Sequence, residues 1–195
     1  MTYSIIGSGN VGTALARQFA RSGIAVGLAN TRGAASIAAL CTELGDHVSA
    51  LSLRDALQAD VIVLAIPFRA HQAVAAMAPG WQGKIVIDAM NTYGVPIEEL
   101  RGQASSDVVA GAYAGAALVK TFNQLPARLL AQAPAEHGGR RVMFVSSNDD
   151  AAAAEVASLV ERLGFAAIGL GTIREGGALL GMGGALILQN LVKHV

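Results

Sequence analysis

A single cysteine, Cys41, excludes any disulfide within the 195-residue chain and leaves no thiolate cluster for a metal. Charge is scarce as well. Only 14% of the residues are Asp, Glu, Lys or Arg, and 14 basic side chains balance 14 acidic ones. Without a basic stripe there is no footprint for nucleic acid, and without a basic amphipathic segment none for a membrane surface. So little charge also leaves a lone subunit poorly covered, so some apolar surface is expected to be buried between subunits. The most hydrophobic late segment, Ala178 to Val192, is interrupted by Gly181, Gly183, Gly184, Gln189 and Asn190. It is too short and too broken to cross a bilayer and reads as a core or dimer-interface helix. No serine nucleophile elbow, His-Glu-x-x-His pair or cysteine–histidine constellation occurs. The first residues pass directly into a strand, leaving no room for a signal peptide, so the cytoplasm is the expected compartment.

What is present is concentrated at the start. Tyr3-Ser4-Ile5-Ile6 is a short apolar strand, followed by Gly7-Ser8-Gly9-Asn10-Val11-Gly12 and an amphipathic helix to Arg21. This is G-x-G-x-x-G in the strand–turn–helix setting that dinucleotide binding requires. Gly7 allows the tight turn, Gly9 keeps a Cβ away from a pyrophosphate, and Gly12 lets the helix pack on the strand. The helix start then offers N–H groups and partial positive charge to the phosphates. A second strand, Ile24 to Ala29, runs into Asn30-Thr31-Arg32-Gly33. An NAD site usually carries Asp or Glu here for the ribose 2′-hydroxyl. Here no carboxylate is present to repel a 2′-phosphate. Arg32 can pair with one bidentately, Thr31 can donate a hydroxyl, and Ser36 adds another donor. NADP is therefore predicted over NAD.

The rest alternates strand and helix. A helix over Ala34–Leu44 and a strand over His47–Leu51 come next, then a brief helix from Leu53 to Gln58. The uninterrupted apolar run from Asp60 to Ile66 predicts a strand buried on both faces. Its carboxyl end should lie beside the first strand, where strand order reverses, so Ile66, Pro67 and Phe68 are expected to line the cofactor crevice. Arg69 and His71 follow; each is open to a surface helix-start role or to contact with a ligand, and His71 is carried among the cofactor candidates. After a helix over Gln72–Ala78, Lys84 to Ala89 predicts a fifth strand that places Ala89 at the crevice. Asn91 is set to orient the nicotinamide carboxamide, and Asp88 to bond loop backbone rather than act as a base. Further strands are predicted at Ala116–Phe122, Arg141–Ser147 and Gly164–Gly169. A helix runs to Gln132 and another from Asn148-Asp149-Asp150 to Leu163, while Gly102–Ser106 and Ala133–Gly139 read as surface loops. The fold class is α/β: a Rossmann-type, doubly wound, mainly parallel sheet with helices on both faces. It is expected as one domain, with residues 1–123 the dinucleotide-binding part and 124–195 its extension.

With these residues in view the chain resembles the NADP-dependent deazaflavin oxidoreductases, and also the cytosolic domain of six-transmembrane ferric reductases. The resemblance spans the chain. It rests on Gly7 to Gly12, Asn30-Thr31-Arg32, Ile66-Pro67-Phe68, Lys84 to Asn91, and above all Val119-Lys120-Thr121-Phe122-Asn123. It implies a homodimer, NADP at the carboxyl ends of the strands with its 2′-phosphate at Thr31 and Arg32, and a flavin-like ring stacked on the nicotinamide. A deazaflavin coenzyme, FMN or FAD would then be the second substrate, a small-molecule redox acceptor. The family often has Asn-Pro after the fifth strand, where this chain has Asn91-Thr92, and a quinone-like acceptor stays open. Hydride transfer between stacked rings requires no catalytic acid or base, so none is assigned and no metal is expected. Two other readings stand beside it. One is a non-catalytic NADP-binding redox sensor. The other is a truncated β-hydroxyacid-type dehydrogenase, whose catalytic lysine would have to be Lys193. The glycine-dense Gly171–Gly184 segment is expected either to shape the acceptor pocket or to pack helices at the dimer interface.

Overall fold

Short runs of apolar residues with no charge at their centres become the middle strands of one sheet. The computed structural model describes residues 1–100 and 102–194. The first half runs β1 (Tyr3–Ile6), α1 (Asn10–Arg21), β2 (Val26–Ala29), a 3₁₀ turn (Ala34–Ile37) into α2 (Ala38–Leu44), β3 (Val48–Ala50), α3 (Leu53–Ala56) and β4 (Val61–Leu64). A second 3₁₀ turn (Phe68–Ala70) leads into α4 (His71–Ala75), and β5 (Ile85–Asp88) follows. A third 3₁₀ turn (Ile97–Leu100) then precedes α5 (Ser105–Ala112) and β6 (Ala117–Lys120). The remainder is α6 (Ala127–Leu130), β7 (Ala135–Glu136), β8 (Gly139–Ser147), α7 (Asp150–Arg162) and β9 (Ala166–Gly169). Last come a π turn (Ile173–Gly177), α8 (Ala178–Leu180) and β10 (Val192–His194).

The strand order is β10-β8-β6-β5-β4-β1-β2-β3, and the six strands from β3 to β6 pair parallel. That is the doubly wound order, with its reversal between β1 and β4. The long strand β8 closes this side antiparallel to β6 and also pairs with β7, β9 and β10. Alternation along each strand supplies a core to both faces. Ile5, Val63, Ile87 and Val119 pack with α1 and α7 through Leu15, Phe19, Val156 and Val160. Ile6, Ile62, Leu64, Val86 and Leu118 face the other way, onto Trp81, Val109 and Tyr113. Among the described residues no helix is long and apolar enough to cross a membrane.

Most element ends fall within a few residues of expectation; three segments differ. Gly102–Ser106 is not all loop. Ser105 and Ser106 open α5, because Val109 on that helix and Tyr113 just past its end are buried in the core on that face of the sheet. Within Ala133–Gly139, Ala135 and Glu136 pair with β8 through the two-residue turn His137-Gly138. Both turn residues take positive φ, 48° and 78°, as a tight hairpin that follows the strand twist demands. The segment Ala178–Val192 is not a helix: it is helical only over Ala178–Leu180, and Leu188 sits at φ 63°. Glycine packing explains the break. A Cβ at Gly184 would lie 2.4 Å from the Leu179 carbonyl oxygen, so the chain folds back on itself there.

Candidate dinucleotide and hydride-transfer site

Each glycine of the first turn has a separable reason. Gly7 takes φ 114°, and a Cβ there would stand 2.1 Å from the Ala65 carbonyl oxygen at the end of β4. A Cβ on Gly12 would meet the Gly7 carbonyl oxygen at 1.8 Å. Gly9 differs from both: nothing lies within 4 Å of its Cβ position, and its φ of −78° is ordinary. No neighbouring atom requires a glycine there; a ligand pressed against the backbone would. The first intrahelical bond runs from the Thr13 N–H to the Gly9 carbonyl. Asn10, Val11 and Gly12 therefore present N–H groups with no intrahelical acceptor. No side chain caps this helix start and no acid lies in its first turn. These residues fit a pyrophosphate. A groove of about 380 Å³ flanks them, lined by Ser8, Asn10, Thr13 and Arg17 together with Arg128 from α6. Arg128 lies too far along the chain for the local motif to have pointed to it.

At the end of β2, Asn30 is a scaffold rather than a free ligand. Its amide donates to the hydroxyls of Ser8 (2.8 Å) and Ser36 (3.1 Å), and its oxygen accepts from the Arg32 backbone N–H at 2.8 Å. The Ser36 hydroxyl also donates to the Gly33 carbonyl at 2.7 Å. So Asn30 ties the glycine loop to the loop after β2, and both of its side-chain polar atoms already have protein partners. Thr31 and Arg32 are left exposed, and Arg32 forms no ion pair among the described residues. An arginine with no carboxylate beside it fits a 2′-phosphate.

Beyond the glycine loop, the ends of β4 and β5 enclose a cavity of about 360 Å³. Val11, Ile66, Pro67, Phe68, Ala89 and Asn91 line it, as the sequence led one to expect, with Ala65, Arg69, Met90, Tyr93, Gly94 and Val95 added. Tyr93 to Val95 lie in irregular chain whose spacing carried no signal. The Phe68 ring is largely buried and packs on His71, centroids 4.8 Å apart, so only part of it reaches the cavity. His71 departs from expectation. It is buried away from the cavity lining, its Nδ1 donates to the Phe68 carbonyl at 2.5 Å, and the Tyr113 hydroxyl donates to its backbone carbonyl at 3.0 Å. The phase of α4 turns the ring into the core, so His71 is not placed to touch a cofactor. Burial, reinforced by the charge of Asp88, pushes the Tyr113 phenol above its ordinary range, so it remains a neutral donor.

Under the cavity floor lies a buried ion pair. Asp88 and Lys120 are register partners on β5 and β6, 1% and 2% exposed, with Nζ–Oδ2 at 3.2 Å. Asp88 also accepts from the Met90 N–H and the Ser106 hydroxyl, both at 3.0 Å, while Lys120 donates to the Met90 carbonyl at 2.6 Å. As expected, Asp88 bonds loop backbone. Asn91 is held by a reciprocal pair: its amide donates to the Asn123 carbonyl and its oxygen accepts from the Asn123 amide, both at 2.9 Å. Phe122 takes φ 63° while fully buried, a strained conformation that surroundings must enforce, and it turns Asn123 toward Asn91. Asn123 also donates to the Leu180 carbonyl at 2.7 Å. The Gly171–Gly184 segment meets Asn123 through that bond, but none of its residues lines the cavity, so it does not form the pocket wall that was one of its two readings. Lys193 sits on the edge strand β10, exposed and away from the cavity, so it is not placed as a dehydrogenase lysine.

Residues 2–92 match the family described as NADP oxidoreductase coenzyme F420-dependent. Among solved structures, a hypothetical protein from Sinorhizobium meliloti, SMa0349, is 40% identical over 99% of this chain and 96% of its own, with a TM-score of 0.94. A protein from Arthrobacter sp. fb24, described as a candidate f420-dependent NADP-reductase, is 28% identical over 89% of this chain and 86% of its own, with a TM-score of 0.74. An imine reductase from Aspergillus terreus, solved in complex with NADPH4 and dibenz[c,e]azepine, is 25% identical with a TM-score of 0.64. The similarity covers 91% of this chain and 57% of that one. No match was found among curated proteins.

Proposed function

We propose, given that residues 2–92 match the NADP oxidoreductase family, that this chain transfers hydride between NADPH and a flavin or deazaflavin ring. The observation that carries this reading is the lining of the cavity beside the glycine loop. Among the described residues it contains no Asp, Glu, His, Lys or Cys, and its one phenol, Tyr93, is 67% exposed rather than fixed in the cavity wall. Hydride delivered to a carbonyl or imine leaves charge on one atom and calls for a positioned proton donor. A fused, electron-poor ring spreads that charge and takes its proton from water, which matches walls of Val11, Ile66, Pro67, Ala89 and Met90.

Bound NADPH would supply the hydride, two electrons and one proton's worth of hydrogen, and a solvent proton completes reduction of the acceptor. The chain's own residues hold and orient. The helix start of α1 and the open face of Gly9 take the pyrophosphate, Thr31 and Arg32 the 2′-phosphate, and Asn91, fixed by Asn123, the carboxamide. Pro67 and the apolar walls keep water out of the stack.

Mixing the protein with NADPH and FMN, FAD or a deazaflavin is expected to accelerate loss of the reduced-nicotinamide absorbance. In the same preparation Arg32→Ala should weaken NADPH by about 1.5 kcal/mol, the low end for a charge-assisted hydrogen bond because the site is exposed, and leave NADH unchanged. No acceleration with any ring would end the flavin reading, and tight NADPH binding without turnover would favour a redox sensor. Equal losses for the two nucleotides would show that Arg32 does not read the phosphate. We also take the functional unit to be a homodimer, with exposed Leu179, Met182, Leu188 and Leu191 covered by a second copy. Sedimentation should report twice the chain mass, and Met182→Glu with Leu188→Glu should return it to one chain; a wild-type monomer would dismiss this.

A further inference from the structure

The proposed cavity has one charged side chain in its lining, Arg69, and its placement says something about the acceptor. Arg69 lies in the 3₁₀ turn Phe68–Ala70 after Pro67, at the end of β4. Its guanidinium pairs with Glu99 at 2.7 Å, from the 3₁₀ turn Ile97–Leu100 beyond the end of β5. The side chains are 61% and 49% exposed, so the pair stands at the mouth rather than in the floor. An ion pair this exposed contributes next to nothing to stability, and either member can exchange its partner at little cost. Every other lining residue is apolar, a glycine, an asparagine or a tyrosine. The cofactor's phosphates would have the helix start of α1 with Arg17 and Arg128 beside it, and Arg32 in the loop after β2.

Building on the reading given above, we infer that Arg69 binds an acid group carried by the acceptor, with Glu99 holding its place until that ligand arrives. The substrate class is then a planar, electron-accepting ring bearing a phosphate, carboxylate or sulfonate on a side arm. The ring enters the apolar cavity against the nicotinamide, and the arm stays at the mouth, where the guanidinium presents a fork of donors to it.

FMN and riboflavin test this, because they share one ring and differ by a phosphate. With NADPH saturating, kcat/KM is expected to favour FMN by about tenfold, as one screened charge-assisted contact would give, and the preference should shrink as salt is raised. In Arg69→Ala the FMN-to-riboflavin ratio should fall to about one, and in Glu99→Gln it should rise, because the competing carboxylate is gone. Calorimetry of FMN and riboflavin binding to the NADP-loaded protein reads the same ratio without turnover. A wild-type ratio of one, with both flavins reduced, would overturn the role of Arg69 and leave the proposed function standing. A roughly tenfold loss of NADP affinity in Arg69→Ala with the flavin ratio intact would hand the charge to the cofactor and also overturn it. Should NADP bind and neither flavin be reduced, the proposed function fails, and the calorimetry decides Arg69 alone. Tighter FMN than riboflavin in the wild type but not in Arg69→Ala keeps the inference, and equal binding or none refutes it.

Discussion

Gly12→Ala is expected to cost about 3 kcal/mol of folding stability, and Gly9→Ala less than about 0.5 kcal/mol, although both change one residue of the same motif. At Gly12 the added methyl would lie 1.8 Å from the Gly7 carbonyl oxygen and 3.4 Å from Ile5 Cγ2. The Gly7 carbonyl belongs to the β1–α1 turn, pinned by the Gly7 N–H bond to the Ala29 carbonyl at 2.8 Å, and Ile5 is fully buried in β1, so neither can give way. At Gly9 the methyl meets nothing within 4 Å and the backbone needs no positive φ. Its cost should appear only with the ligand. Holding a phosphate off the helix start weakens two charge-assisted hydrogen bonds of about 1.5–3 kcal/mol each, a loss of on the order of 100-fold or more in NADP affinity. Thermal melts and calorimetry on the two variants separate the effects. Gly9→Ala binding NADP as tightly as the wild type would mean that the open face of this glycine is not where the pyrophosphate sits.

Removing Lys120 should be at least as damaging. Lys120→Met leaves the Asp88 carboxylate buried without its cation, a change that typically costs about 3–5 kcal/mol. The damage extends to the site, because Met90 in the cavity wall has its N–H held by Asp88 and its carbonyl by Lys120. The double variant Asp88→Asn with Lys120→Met should recover about half of that 3–5 kcal/mol loss, since a neutral amide needs no counterion and its oxygen can still accept from Met90. Urea unfolding of the wild type, both single variants and the double variant measures the coupling. Purely additive losses would mean that the two charges do not stabilise each other.

Contiguous features were legible in the sequence. The strand–glycine–helix passage, the missing carboxylate after β2 and the apolar β4 run each lie within a dozen or so neighbouring residues, where local conformation alone sets the geometry. Six of the residues they named, Val11, Ile66, Pro67, Phe68, Ala89 and Asn91, line one cavity at the ends of β4 and β5. Other features turned on where a side chain points once packed. Asn30 lies where a ribose ligand was expected, but its hydrogen-bonding capacity is spent on Ser8, Ser36 and Arg32. His71 follows the crevice loop in sequence, yet the turn of α4 carries its ring inward.

By itself, then, the chain's order of residues determined the doubly wound sheet, the open helix start after the glycine turn and the exposed arginine beyond β2, because those depend on spacing within a single turn or strand. The tertiary structure alone decided the pairings across it: Asp88 beside Lys120, Asn91 locked by Asn123, Arg69 facing Glu99. Those partners lie some thirty residues apart and meet through the lateral pairing of parallel strands and the paths of the loops beyond them. No local pattern encodes that meeting, since it exists only after the core on both faces has set which strand lies next to which.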